Sequence, residues 1–281
     1  HTLPTAAAPV LVACGLAVRH GVFAPRVALL AFLSGWLIQV GGVVTDNYFN
    51  LTRHVDDVEH AAFVAALRRG VVTMRDLRWA IVGCYTAALA FAVPLIMIGE
   101  LPVLLFGLVC VAASLIYLTG PYPLGHHALG DPLFFLFFGV ASVGGAYYVQ
   151  VVAVRGALPG LQLIPGALTT VLLLASLPMA ALITNILIID NIRDLEYDRA
   201  KGERTLAVLL GPRWSRIEYV ALLALAYAIP VWLWWRGEFG IQVMLPELSL
   251  PVAVRVARDL YHRQTHDALI PMTPRAGRVA L

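Results

Sequence analysis

Apolar residues run through this chain in long, nearly unbroken stretches. They cover Leu3–Val18, Val27–Thr45, Leu77–Met97, Leu101–Leu118, Pro132–Val154, Pro165–Ile189, Ile217–Trp235 and Phe239–Val254. A helix needs about 20 apolar residues to cross the hydrocarbon of a bilayer. Stretches of this size, without period-two alternation, predict membrane-spanning helices. The first is short and is completed by interfacial residues. The eighth is interrupted by Pro246 and Pro251 and carries Glu247. Arg278-Val279-Ala280-Leu281 reads as the first turn of a ninth span cut off at the C-terminus. The N-terminus has no charged region and no small-residue cleavage site, so no signal peptide is expected.

Composition narrows the class further. Of the 281 residues, 60% are hydrophobic and 13% charged, and mean hydropathy is +0.80. Soluble domains are about 25% charged. A soluble protein, a disordered chain, a coiled coil and a disulfide scaffold are therefore excluded. Cys14, Cys84 and Cys110 all lie in apolar runs without metal or redox spacing, and read as small packing residues. The expected fold is all-α: a polytopic transmembrane helical bundle forming one domain over residues 1–281.

The basic residues orient it. With a cytoplasmic N-terminus, every Lys and Arg except Arg19, Arg26, Arg155 and Arg236 falls in the loops after spans 2, 6 and 8. That asymmetry follows the positive-inside rule and predicts a multi-pass protein of the inner cell membrane with its long loops in the cytoplasm. The lipid bilayer is an expected partner and nucleic acid is not.

The few acids are gathered where spans 2 and 6 reach that side. In Asp190-Asn191-Ile192-Arg193-Asp194-Leu195-Glu196-Tyr197-Asp198 three aspartates recur every four residues, which on a helix stacks them on one face. Like charges so placed repel unless cations sit among them. Mg²⁺ takes carboxylate oxygens and bridges to substrate phosphates, while Lys201 and Arg204 follow within two turns and suit diphosphate oxygens. The bland alternative is a solvated helix end neutralised by Arg193 and Arg199. The other cluster is Thr45-Asp46-Asn47-Tyr48-Phe49-Asn50, followed by Arg53, His54, Asp56, Asp57 and Glu59. Here Asp46 and Asn50 share a helical face with Asn47 beside them, a signal divided between metal ligand and helix terminus. Both clusters precede a basic-Gly-x-x-Thr segment, Arg69–Thr73 and Lys201–Thr205. The echo predicts pseudo-repeat halves of about 1–118 and 119–281, with two acidic faces across a central cavity. Two metals so placed can hold a diphosphate leaving group from both sides.

Over Asp190–Gly211 the chain resembles the second aspartate-rich motif of the UbiA superfamily of intramembrane aromatic prenyltransferases. It is most similar to the menaquinone branch, the 1,4-dihydroxy-2-naphthoate polyprenyltransferases. Gly120–Gly125, Leu129-Gly130-Asp131 and Phe137-Phe138-Gly139 resemble the connection between spans 4 and 5. Gly145–Gln150 resembles the span 5 signature, and Thr2-Leu3-Pro4 with Pro9-Val10-Leu11 the start of span 1. The resemblance covers essentially the whole chain.

It implies a bundle with a lipid-open cavity, a polyprenyl diphosphate held through Mg²⁺, and transfer of the prenyl group to an aromatic acceptor, 1,4-dihydroxy-2-naphthoate in this branch. By that match Asp190, Asp194, Asp198, Asp46 and Asn50 are catalytic. The same residues and Asp56 bind metal. Asn47, Arg53, Asn191, Arg193, Lys201 and Arg204 bind substrate, and Tyr148 and Gln150 line the cavity. The first motif departs from the family order Asn-Asp-Tyr-x-Asp: it reads Asp46-Asn47-Tyr48-Phe49-Asn50, and Asp57, Val58, Glu59 and His60 replace the basic residues that follow. That departure admits a second reading, a UbiA-type terpene cyclase with no acceptor. A third is a non-catalytic membrane protein, a transporter or scaffold that keeps the fold. His126 and His127 read as solvated-loop residues. His54 is a candidate diphosphate contact, and Glu247 is undecided between a cavity and a membrane boundary.

Overall fold

The structure is a computed structural model that describes residues 2–53, 61–118 and 123–281. The described residues are helical almost throughout. In chain order the helices are α1 (Thr2–Arg19), α2 (Pro25–Arg53), α3 (Ala61–Arg68), α4 (Met74–Leu118), α5 (Gly130–Phe134), α6 (Ser142–Arg155), α7 (Thr170–Arg193), α8 (Leu195–Lys201), α9 (Leu206–Leu210), α10 (Pro212–Trp235), α11 (Leu250–His262), α12 (His266–Leu269) and α13 (Met272–Ala280). A π-helical turn, Phe135–Ala141, joins α5 to α6.

Among the described residues, five helices are long and apolar enough to cross a membrane. They cover Pro25–Phe49, Met74–Tyr117, Gly130–Arg155, Thr170–Arg193 and Pro212–Trp235, and Thr5–Arg19 is a shorter apolar helix. Two of the expected spans, Leu77–Met97 and Leu101–Leu118, are the two arms of α4. They meet at Glu100, whose φ of 51° and ψ of −142° leave the helical region. The first arm runs antiparallel to α2. Ser34 Oγ donates to the Ala88 carbonyl, and a side chain at Gly41 would meet Cys84 and Tyr85.

The eighth apolar run does not form one apolar helix. It gives a 3₁₀ helix, Ile241–Ser249, and the start of the amphipathic α11. Pro246 lacks the N–H a continuous α-helix needs, whereas Pro251 sits in the first turn of α11, where none is needed. The Arg278–Ala280 stretch closes α13, whose Met272, Ala276 and Val279 are buried.

Packing forms two apolar cores. One joins α1 to α6 through residues such as Ala13, Leu16, Val143 and Val151. The other joins α7, α10, α11 and α13 through Ile188, Ile189, Ile192, Leu223, Val256 and Met272. Between α2, the second arm of α4, α6 and α7 a large space remains.

Candidate active site

That space is a cavity of about 1080 Å³, at or above the upper end of ordinary ligand sites, which reach roughly 1,000 Å³. Its walls follow from helix periodicity. On α2, Gly35, Ile38, Gln39, Gly42, Val43 and Asp46 recur every three or four residues and face it. On α7 the same stripe runs through Ile186, Leu187, Asp190, Asn191, Arg193 and Asp194. Asp198, Lys201, Glu203 and Thr205 extend the polar end beyond α7. Much of the remaining wall is apolar and aromatic. Phe134 and Phe138 are stacked at 4.3 Å, and Tyr117 lies 6.3 Å from Phe134. All three border the cavity.

The expected stack of three aspartates is not carried by one continuous helix. Asp194 has φ −93° and ψ 3°, ends α7 and begins α8. The ladder survives the bend, because Asp194 N–H donates to Asp190 O and Asp198 N–H to Asp194 O, each at 2.9 Å. All three carboxylates still border the cavity.

A cation does sit among them. Arg193 donates to Asp190 Oδ1 at 2.5 Å, and two of its nitrogens grip Asp194, one at 2.8 Å. Arg199 is not part of this arrangement and pairs with Glu196 at 2.9 Å. Arg193 and Asp194 are largely buried, with side-chain exposures of 18% and 6%. Burying a bidentate pair of this kind costs desolvation, which geometry and added hydrogen bonds must offset.

Added bonds to the cluster come from Thr273 and His266, which the sequence did not single out, and further bonds join its neighbours. Thr273 Oγ1 donates to Asp190 Oδ1 at 2.6 Å. His266 Nε2 lies 3.3 Å from Asp194 Oδ1. Thr205 Oγ1 reaches Asp198 Oδ2 at 3.4 Å, and Asn191 Nδ2 donates to Asp131 Oδ1 at 2.9 Å. His126, expected in a solvated loop, borders the cavity with Nδ1 3.3 Å from Glu203. Its carbonyl accepts from Arg204 N–H at 2.8 Å, which ties the 123–129 segment to the one after α8. The stripe spacing that placed Asp46 could have pointed to Tyr117. Nothing in the sequence marks Thr273 or His266.

The other expected positions divide three ways. Asp46, Asn47, Asn191, Arg193 and Lys201 border the cavity, and Asn47 Nδ2 donates to Val43 O of its own helix at 2.7 Å. Tyr148, Gln150 and Arg204 do not. On α6 the cavity stripe is Ser142, Gly145, Ala146 and Val149, so positions 148 and 150 lie off it. Gln150 is fully buried and bonds Ala146 O and Ala24 N–H instead. Arg204 is exposed. Asn50 and Arg53 fall in the last turn of α2. Asp56, with His54, Asp57, Glu59, His60 and the Gly120–Tyr122 part of the span 4–5 connection, lies outside the described residues. Glu247 falls in the 3₁₀ helix and does not border the cavity.

Among the described residues, no three His, Cys, Asp or Glu side chains gather into a metal cage. The donors that face the cavity are hard carboxylate oxygens. They fit a cation such as Mg²⁺, which takes one or two carboxylates and completes its shell with phosphate and water.

Comparison with known proteins gives consistent results. The UbiA prenyltransferase family model matches residues 6–271. A relative named 1,4-dihydroxy-2-naphthoate octaprenyltransferase, from Escherichia coli, is 29% identical over 100% of this chain and 88% of its own length. The apo structure of a UbiA homolog from Aeropyrum pernix has a TM-score of 0.71 at 18% identity, over 99% of this chain and 94% of that one. A UbiA homolog from Archaeoglobus fulgidus bound to DMAPP and Mg²⁺ has a TM-score of 0.58 at 15% identity, over 99% and 91%.

Proposed function

The chain belongs to the UbiA prenyltransferase family, and we propose that it transfers a polyprenyl group from its diphosphate to an aromatic acceptor, 1,4-dihydroxy-2-naphthoate. The observation that carries this reading is the placement of Asp46 and of Asp190, Asp194 and Asp198 on the wall of one cavity whose remaining wall is in large part apolar and aromatic. An amphiphile with an anionic head and a long hydrocarbon tail matches both parts. The name of the Escherichia coli relative supports the acceptor, and the Archaeoglobus structure with DMAPP and Mg²⁺ supports the donor and the cation. The multi-pass bundle sits with this polar end on the cytoplasmic side of the inner membrane, as the distribution of Lys and Arg supports.

In this reading Asp46, Asp190, Asp194 and Asp198 hold Mg²⁺, which when bound neutralises charge on the diphosphate. Asn50 and Asp56 complete the first motif by resemblance. Arg193 and Lys201 supply fixed positive charge at the same end. Heterolysis of the C–O bond sends its electron pair to the diphosphate and leaves an allylic cation. Tyr117, Phe134 and Phe138 line the space where that cation forms, and their ring faces attract positive charge. The apolar side chains beside it disfavour water there, and the electron-rich ring attacks. The new C–C bond forms at the ring carbon that then loses its carboxylate as CO₂. Asn191, fixed by Asp131, borders the same space and offers an amide to the acceptor.

The test is a product assay on purified protein with Mg²⁺ and geranylgeranyl diphosphate, with and without 1,4-dihydroxy-2-naphthoate, read by mass spectrometry. A prenylated, decarboxylated naphthoquinol formed only with acceptor is expected. Cyclised hydrocarbon formed from the diphosphate alone would overturn the acceptor and favour the cyclase.

A further inference from the structure

The second acidic motif is completed by a residue about eighty positions further along the chain. Thr273 lies in the first turn of α13 and is 2% exposed. Its hydroxyl makes two bonds of opposite sense. It donates to Asp190 Oδ1 at 2.6 Å and accepts from Arg193 NH1 at 3.3 Å. The same NH1 donates to Asp190 Oδ1 at 2.5 Å, so the three side chains close a triangle. With two donors on Oδ1, the carboxylate cannot turn without losing both bonds. Arg193 cannot swing away without also releasing Asp194.

Packing fixes where this hydroxyl sits. Met272 and Ala276, on either side of it, are buried in the core that holds Ile189 and Ile192 of α7. Arg275 NH1 donates to Asp259 Oδ2 at 2.5 Å and ties α13 to α11. Threonine is β-branched and has few rotamers, so backbone position and hydroxyl position are closely coupled.

We propose that Thr273 is a positioning residue for the acidic site, holding Asp190 and Arg193 in the geometry that receives the diphosphate and its cation. The inference rests on the proposed diphosphate site and sharpens it. Thr273 touches no substrate in this scheme and acts through the two residues it binds. Only a hydroxyl donates to the carboxylate and accepts from the guanidinium at once. Valine keeps the shape and does neither; serine does both.

The experiment measures binding of inorganic pyrophosphate, at fixed Mg²⁺, to the purified full chain by titration calorimetry, beside its melting temperature. Thr273→Val is expected to melt near wild type and to bind about 10- to 100-fold more weakly, the scale seen when a partner of a metal-ligating group is removed. Thr273→Ser is expected to bind within about threefold of wild type, and Thr273→Ala to behave as the valine variant if valine misfolds. In turnover the loss is expected in both KM for the prenyl diphosphate and the Mg²⁺ requirement. A folded valine or alanine variant that binds pyrophosphate as wild type overturns the role of Thr273 and leaves the site reading standing. A wild-type protein that binds no pyrophosphate overturns both.

Discussion

The chain contains two basic-Gly-x-x-Thr loops with the same left-handed glycine and different wiring. In each, a helix ends at a glycine in the left-handed region, Gly70 at φ 68° and Gly202 at φ 78°, which only glycine adopts cheaply. In each, a threonine then caps the next helix. Thr73 caps α4 by exchanging bonds with Asp76: its Oγ1 donates at 2.7 Å and accepts from Asp76 N–H at 3.2 Å. Thr205 caps α9 through Val208 N–H, and its hydroxyl also reaches back to Asp198. The first loop completes itself at an exposed surface; the second is 4% exposed at Thr205 and continuous with the cavity. The difference teaches that the local motif sets only the turn. Whether it serves a site depends on what packs over it.

The largest expected effect separates the two acidic ends directly. Asp194→Asn is expected to lower kcat/KM for prenyl transfer by about 10²- to 10³-fold, the scale of losing a group that stabilises developing charge. Asp46→Asn is expected to cost about tenfold, since in the described part of the first motif it is the one carboxylate facing the cavity. Equal losses in the product assay would erase the distinction.

A finer cut compares the two caps. Thr73→Val and Thr205→Val each remove a cap, about 1 kcal/mol of stability, so thermal unfolding in detergent is expected to show similar small shifts. Only Thr205→Val is expected to lower turnover as well, by about tenfold. If Thr73→Val did the same, the two loops would be functionally equivalent.

The smallest effect concerns the tie that carries α13. The hydrogen bond from Arg275 holds the Asp259 carboxyl below its usual value. A depressed folded value means stability that is present above the unfolded value and is lost as pH falls through the folded one. Wild type is therefore expected to melt slightly above Asp259→Asn at neutral pH, with the gap closing below about pH 4. A gap that persisted in acid would assign it to packing.

Much of this was legible because charge is rare in the chain. Aspartates at four-residue spacing against an apolar background stand out, and all three border the cavity. The bend at Asp194 did not show, since i, i+4 hydrogen bonds survive it. Thr273 and His266 were silent because a threonine or histidine in a mixed helix carries no periodic signal, and their partners, Asp190 and Asp194, lie on a distant helix. Tyr148 and Gln150 were carried over from a resemblance, whereas the stripe through Ser142, Gly145, Ala146 and Val149 follows from helix geometry alone. The eighth run does not form one continuous α-helix, and the interruption by Pro246 that the sequence shows falls inside its 3₁₀ segment.

The break at Glu100 bears on how the protein is made. Glu100 is the only Asp, Glu, Lys or Arg between Arg78 and Asp131, and it stands where α4 leaves helical geometry. At 1.5 Å per residue its arms are about 39 Å and about 27 Å long, each close to the roughly 30 Å hydrocarbon thickness. The first arm runs antiparallel to α2 and the second ends beside the cavity at Tyr117, so α4 folds back on itself here. Inserted as a hairpin of this kind, a chain would carry its one carboxylate at the bend, where a charge reaches water at least cost. The chain's lone charge in that stretch and its turning point are the same residue, so one position both halts the first arm and launches the second.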